Sequence, residues 1–555
     1  MTDTATVAEV PANPKARPRG GFAALVAAGI LLSRLSGLVR EKVFAHYLGN
    51  SDAAGVFKAA IRIPNFLQNL FGEGVLSASF IPVYARLLAE DDEELAGRVA
   101  GAVASLLALA TAVLVLIGVI LTPWILFLIA PGFHGAVREL TITVVRILFP
   151  GIGLLVMSAW CLGMLNSHGK FFLSYVAPVL MNVAMIAALF IFGGKISDSS
   201  LALAAAWGTV VGAALQFGIQ VPFVFRYSKQ IHFGLQTAMP QVREVIRNFG
   251  PVVLGRGVVQ LSAYLDNLLA SLLGTAAVSA LAYAQIIYLL PISLFGMSVA
   301  AAELPQMSRV TGTEEEVYTN MRKRLERGLR QIAFFVIPSV VAFIAIGDRL
   351  VAALFQGGRF HHDDTLYVWY ILIGSTVGLL AATLGRLYSS AFYALRDTKT
   401  PLKFAGARVI LTGVLGYLCA LPLRPLFVNL LVMAHVPLPN LPGGTLLFGV
   451  VGLTASAGVA GWLEYILLRR ALQRRIGPIV FPISFQLKLW SSAIAAGALA
   501  VLCERFTSRA ATHLPFRYIS EGILVAGIFG AVYFIAAAAF GVPEVRATLS
   551  RVTRR

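Results

Sequence analysis

From residue 21 onward the chain is a succession of long apolar runs cut by short polar turns. The runs fall near 21–48, 54–85, 98–130, 138–166, 171–194, 201–226, 244–273, 278–305, 327–347, 365–393, 401–423, 446–468, 485–505 and 518–541. Each has about 20 residues or more, enough for an α-helix to cross a hydrocarbon core roughly 30 Å thick. The pattern predicts an all-α polytopic membrane protein with about fourteen transmembrane helices. An outer-membrane barrel is excluded, because its strands alternate over short stretches instead of running apolar throughout.

The chain also repeats itself weakly. Span 2 closes in FIPVYAR (Phe80 to Arg86) and span 8 in ELPQMSR (Glu303 to Arg309). Span 4 leads through GMLNSHGKFFLSYVAP into span 5, as span 10 leads through SAFYALRDTKTPLKF into span 11. Spans 1–6 and 7–12 therefore read as two six-helix lobes in the same orientation, with a binding site expected between them. The predicted organisation is a cytoplasmic tail over 1–20, an N-lobe over 21–226, a C-lobe over 244–468, two additional helices over 485–541 and a basic cytoplasmic tail over 542–555.

Composition agrees with this class. The chain is 58% hydrophobic and 13% charged, against about 25% charged residues in soluble domains. The formal charge of +18 does not point to nucleic acid. The basic residues crowd into short loops, as in Arg226, Lys229, Arg243 and Arg247, or Arg309, Arg322, Lys323, Arg324, Arg327 and Arg330, or Arg469, Arg470, Arg474, Arg475 and Lys488. That asymmetry orients both termini to the cytoplasm and draws the loops to anionic lipid. The polar start, with Lys15, Arg17 and Arg19, reads as a tail before a retained first helix, not a cleaved signal. Cys161, Cys419 and Cys503 stand apart in apolar runs and suit neither disulfides nor a metal. His361 and His362 suit a solvated loop better than a metal pair. No phosphate loop, HExxH or spaced Cys/His set is present, so no enzyme is expected. Transport would draw on an ion, the membrane potential or the substrate gradient. No cofactor is expected, and the coupling ion stays open.

The informative residues are the charges inside spans. A charge at the bilayer centre costs about 2.5–3.5 kcal/mol on insertion scales, so it normally faces a bundle interior or a wet cavity. Span 1 carries Arg34, Arg40 and Glu41, with Arg34 and Glu41 on one face. In span 2, Lys58, Arg62, Asn65 and Asn69 follow helical spacing along one face. Pro64 and the Gly72–Glu73–Gly74 run weaken that helix beside its polar stripe. Span 7 carries Arg256, Gln260, Tyr264 and Asn267 on a stripe, with Asp266 to its side. Internal salt bridges to Glu41, Glu73 or Asp266 would explain some of these arginines. The first two spans nevertheless hold more arginines than carboxylates, and spare guanidinium groups suit a phosphate or pyrophosphate. In span 6, Gly208 and Gly212 read as close helix packing, with Gln216 and Gln220 as interhelical hydrogen bonders.

SRLSGLVRE, IRIPNFLQNLFGEGVLSASFIPVYAR, APGF and GMLNSHGKFFLSYVAPVLMN resemble the MurJ (MviN) lipid II flippase family, as do WGTVVGAALQFGIQVP, ALFQGGRF and SAFYALRDTKTP. The resemblance runs in order from about Arg34 to Pro401. It implies a member of the multidrug/oligosaccharidyl-lipid/polysaccharide exporter superfamily in the bacterial inner membrane, with a cationic cavity between two lobes. The implied partner is lipid II or a similar undecaprenyl-pyrophosphate lipid, moved by alternating access, with phospholipids and cell-wall synthesis proteins around it and the acyl chain along spans 13 and 14. Carried over by position, Arg34, Arg40 and Arg62 match the family's headgroup-binding basic residues, with Asn65 beside them. Glu41 and Glu73 match its acidic positions, while Lys58, Gln260 and Asp266 are supporting polar groups. Gly37, Pro64 and Gly72 are the expected hinges.

Two departures stand out. Gln68 occupies a position where the family often has arginine, and Ile286 replaces another arginine expected on the cavity. These keep open an exporter of a different undecaprenyl-linked glycan or amphiphile, and a non-transporting cell-wall scaffold. Arg256 is a candidate to restore one missing charge. Accordingly, Arg256→Ala is expected to weaken complementation of a flippase-depleted strain, and full complementation would remove Arg256 from the site.

Overall fold

The computed structural model describes residues 20–553 apart from 229, 310–311, 434–438, 441–443, 505, 507 and 509–515, with side chains except at 20–27, 73, 251–252, 254–263, 427, 430–431 and 549–553. The first half comprises α1 (Gly20–Leu48), the broken run α2 (Asp52–Ala60), α3 (Arg62–Phe71), α4 (Glu73–Ser79) and α5 (Ile81–Ala89), then α6 (Glu93–Ile129), α7 (Gly135–Ser167), α8 (Phe171–Phe192) and α9 (Asp198–Tyr227). The second comprises α10 (Pro240–Ser271), α11 (Thr275–Pro291), a π-helical turn (Ile292–Met297), α12 (Ser298–Ser308), α13 (Glu314–Ala345), α14 (Gly347–Phe355), α15 (His362–Ala394), α16 (Lys399–Ala420), α17 (Arg424–Met433) and α18 (Gly449–Ile476). The helices α19 (Ile483–Leu502), α20 (Arg517–Ala539) and α21 (Pro543–Thr553) follow.

Among the described residues, eleven helical segments are long and apolar enough to cross a membrane. The other three predicted spans correspond to α1, the broken run α2–α5 and α10. In the first half α1 packs on α8, α8 and α7 on α9, and α6 and α2 on α7. In the second, α10 packs on α16, α16 and α15 on α18, and α13 and α11 on α15. Replacing each span by the one six later turns the first set of pairings into the second. This is a parallel repeat, whose axis lies along the membrane normal. Outside both sets, α19 and α20 pack on each other and on α13 and α14.

Close approach is bought with small residues, since lipid offers no hydrophobic drive between helices. A Cβ on Gly212 of α9 would stand 2.6 Å from Met181 Cα of α8, and one on Gly378 of α15 would stand 2.5 Å from Gly458 Cα of α18. These glycines let paired helices meet backbone to backbone in each half. Span 2 departs from a single helix at Gly72, whose backbone (φ −88°, ψ −146°) leaves the helical region. A Cβ there would fall 2.3 Å from the Gln68 carbonyl oxygen. Pro64 sits in the first turn of α3, where a missing N–H costs little. The helix α1 runs unbroken through Gly37, so its expected hinge is a continuous helix in this state.

The halves meet at the face opposite the chain termini, here called the far face. Tyr283 of α11 donates to the Gly49 carbonyl (2.9 Å), Asn267 of α10 to the Ile129 carbonyl (3.3 Å) and the Gly132 N–H to Ser271 Oγ (3.4 Å). Thr275 pairs with Asp52, and Ser279 with Asn50. Gly55 lies directly on Thr275, so an added Cβ would stand 2.4 Å from the Thr275 carbonyl oxygen. Such overpacking costs about 1–3 kcal/mol. The variant Gly55→Ala is therefore expected to melt at a lower temperature in detergent than the parent, and an unchanged melting curve would show that α2 and α11 can separate freely.

Candidate functional site

A cavity of about 310 Å³ lies between the halves, walled by α1, α2, α3, α7, α8 and α9 on one side and by α10 and α11 on the other. Its charged lining is Arg40, Glu41, Lys58 and Arg62: three cations against one carboxylate. Asn65, Gln68, Asn69 and Gln285 add amides, and Tyr264 adds a phenol.

The carboxylate is shared. Arg40 Nη2 donates to Glu41 Oε1 at 2.8 Å, while Lys58 pairs with Glu41 Oε2 from α2. Glu41 and Lys58 are only 8% and 6% exposed, so neither charge is stabilised by water. The Lys58 ammonium also stands 4.4 Å from the Phe44 ring centroid and 5.1 Å from that of Tyr283, within cation–π range. Arg40 Nη1 reaches Asn182 Oδ1 on α8 at 2.9 Å, and Asn182 in turn donates to Ser36 Oγ at 2.8 Å. Arg40 Nε is buried without a hydrogen-bond partner among the described residues.

Arg62 is compensated differently. Its Nη2 donates to Gln285 Oε1 of α11 at 2.7 Å, and its carbonyl accepts from Tyr264 of α10 at 2.8 Å. Among the described residues no carboxylate lies within ion-pairing distance of Arg62. A guanidinium offers five N–H donors. Arg62 therefore keeps donors for a ligand, with Asp266 acting on its charge only from beyond ion-pairing distance, at a point where α3 of one half meets α10 and α11 of the other.

The polar stripe of span 2 comes together as its spacing predicts, since Lys58, Arg62, Asn65 and Asn69 all line the cavity although the helix is interrupted at Ile61. Both departures from the family pattern, Gln68 and Ile286, are on its wall as well. Arg34 is elsewhere: it is exposed, two turns of α1 from Arg40, and its Nη1 lies 3.5 Å from Ser293 Oγ in the π-helical turn. Asp266 is not on the lining, and its Oδ1 is buried without a hydrogen-bond partner among the described residues. The side chains of Glu73, Arg256 and Gln260 lie outside the described residues. Asn182 and Gln285 were not singled out from the sequence. Their signal is an amide within an apolar span, the same that marked Gln216 and Gln220, which both donate to Ser158 Oγ at 3.0 and 2.8 Å.

Two repeated six-span halves around a charged cavity define a polytopic membrane transporter. The fold resembles a solved structure titled "Lipid II flippase MurJ, inward closed conformation", with a TM-score of 0.73 at 23% identity over 93% of this chain and 98% of that one. It also resembles an inward-facing multidrug resistance MATE family transporter of the MOP superfamily, with a TM-score of 0.59 at 20% identity over 81% of this chain and 99% of the other. The chain belongs to the lipid II flippase MurJ family, which its residues 44–520 match. A relative from Burkholderia cenocepacia, named lipid II flippase MurJ, is 32% identical over 80% of this chain and 82% of its own length. A probable lipid II flippase MurJ from Rhizobium tropici is 30% identical over 94% of each. Family and apolar spans together make this a multi-pass protein of the bacterial inner membrane, and the family is one of transporters.

Breaking a buried ion pair by removing one partner costs about 3–5 kcal/mol, mostly for the charge left behind. Glu41→Gln is therefore expected to lower the melting temperature sharply. Adding Lys58→Met should recover part of the loss, and equal melting of the single and double variants would deny the pairing.

Proposed function

We propose that the chain carries lipid II, or a close undecaprenyl-pyrophosphate relative, across the inner membrane by alternating access. The observation that carries this reading is the excess of cation in the cavity, with Arg62 retaining donors between the halves. A pyrophosphate presents several acceptor oxygens, which a guanidinium can grip in pairs. Arg40 and Arg62 would hold the diphosphate, with Asn65, Gln68 and Asn69 beside the sugar. Arg34, exposed on α1 nearer the termini, would meet the headgroup on its way in.

The termini belong in the cytoplasm on the positive-inside rule. The far face is then the outer one, and the described state shuts the cavity from it. On the terminal face the halves are bridged by Arg86 and Glu244 at 2.8 Å, a half-exposed pair. Pairs of that kind contribute about 0–1 kcal/mol, so closure on this side rests mainly on the packing of α10 against α4 and α5. The six-helix lobes would rock about the bound headgroup, with the break at Gly72 absorbing part of the change. Gln68 and Ile286, where cations were expected, favour a second reading in which the anionic head belongs to another undecaprenyl-linked glycan.

The test is complementation of a strain depleted of its flippase, with lipid II followed in the outer leaflet. A hydrogen bond to a charged group contributes about 1.5–3 kcal/mol, so Arg62→Ala and Arg40→Ala should each lower transport roughly tenfold to a hundredfold. Undiminished transport by both variants would overturn the proposal. Failure of the parent to complement, with binding of another undecaprenyl-pyrophosphate glycan retained, would select the second reading.

A further inference from the structure

Lys42 follows the cavity residues Arg40 and Glu41 in α1 but does not line the cavity. Its ammonium crosses to the other half, 3.0 Å from the Ala353 carbonyl oxygen and 3.5 Å from that of Leu354. Both carbonyls belong to the last turn of α14, where a helix leaves its C=O groups without intrahelical partners and its dipole favours a cation. The Ala352 carbonyl of the same turn already accepts from the Gln356 N–H at 3.0 Å. Lys42 thus caps α14 from across the boundary between the halves.

The opposite side of α14 rests on the added helices. Gly522 of α20 lies against it so closely that a Cβ would stand 2.6 Å from Ala353 Cβ and 3.2 Å from the Arg349 carbonyl oxygen. One turn earlier, Arg349 pairs with Glu504 just beyond α19, with Glu521 of α20 at 3.6 Å and with Asp348 at 3.4 Å. Glu521 is only 3% exposed. Lys42 and α20 therefore grip one helical turn from two sides, with Ala353 touched by both.

We infer that α14 is a latch plate: Lys42 docks on its C-terminal carbonyls to hold the far face shut, and α19 and α20 set how firmly by fixing where those carbonyls stand. The loop after α14 continues the latch. The Arg359 N–H donates to the His46 carbonyl at 2.9 Å, and the Arg359 side chain pairs with Asp198 of α9. The inference concerns the gate alone and does not depend on which lipid is carried.

Spin labels at the exposed positions His134, between α6 and α7, and His362, at the start of α15, report separation of the halves at the far face. The full chain would be used in nanodiscs, with its three cysteines replaced. Lys42→Met keeps the aliphatic stem and removes the charge. It is expected to raise the long-distance population several-fold, while Lys42→Arg should stay near the parent. Arg349→Met removes ion pairs to Asp348, Glu504 and Glu521, none of them in the first half, yet it should open the same face, and the double variant should open little further than Lys42→Met alone. An unchanged distribution in Lys42→Met would refute the latch. Opening by Lys42→Met with none by Arg349→Met would refute the control by α19 and α20. Should Arg349→Met not fold, Gly522→Ala displaces α20 by a single methyl group and decides the same point by the same criterion.

Discussion

One carboxylate between two cations makes the cavity possible. Glu41 ties α1 to α2 through Lys58 and orients Arg40, which Asn182 holds from α8. A buried ammonium beside Phe44 and Tyr283 without that carboxylate would be an uncompensated charge, among the costliest defects a fold can carry. A second carboxylate would settle the remaining charge but cancel the attraction for an anion. The cavity lining keeps a net positive charge because the third cation, Arg62, is hydrogen-bonded to an amide, with no carboxylate in ion-pairing distance among the described residues and Asp266 acting on it only from further off.

The same cluster reaches the seal between the halves. Tyr283 presents its ring to Lys58 and its hydroxyl to the Gly49 carbonyl, so one side chain of α11 touches both the charge network and the far-face contact. Arg40, Glu41 and Lys42 are consecutive, and they direct their charges to the cavity, the ion pair and α14 respectively. On the proposed function, a headgroup held by Arg40 would act on the gate through a single rigid turn. The arrangement places the cavity's charges and the contact to α14 on one stretch of helix instead of linking them across the molecule.

Much of this was legible in the sequence. The run lengths gave the spans, and the helical spacing of Lys58, Arg62, Asn65 and Asn69 gave one wall of the cavity, because intramembrane polarity leaves few places for such residues to go. The resemblance to the flippase family marks Gln68 and Ile286 as cavity positions, and both line the cavity. What spacing cannot supply is the partner across the gap. Gln285 and Asn182 take their roles from tertiary packing, and each is a lone amide in an apolar run, a pattern equally suited to an interhelical hydrogen bond. Arg34 shows the converse. Its intramembrane charge pointed to the cavity, but two helical turns separate it from Arg40 and set it against the π-helical turn. In this state it does not line the cavity.

At its closest approach the far face closes through main chain, beside the charged contacts that Lys42 makes with α14 and Arg359 with Asp198. Gly49 and Gly358 turn with positive φ, and their missing side chains let the two halves touch main chain to main chain at His46 and Arg359. Amide N–H and carbonyl groups neither titrate nor lose their dipoles to added salt. That part of the barrier keeps its shape when acidity or ionic strength changes in the compartment it faces, while the exposed Arg359–Asp198 pair beside it weakens as salt rises.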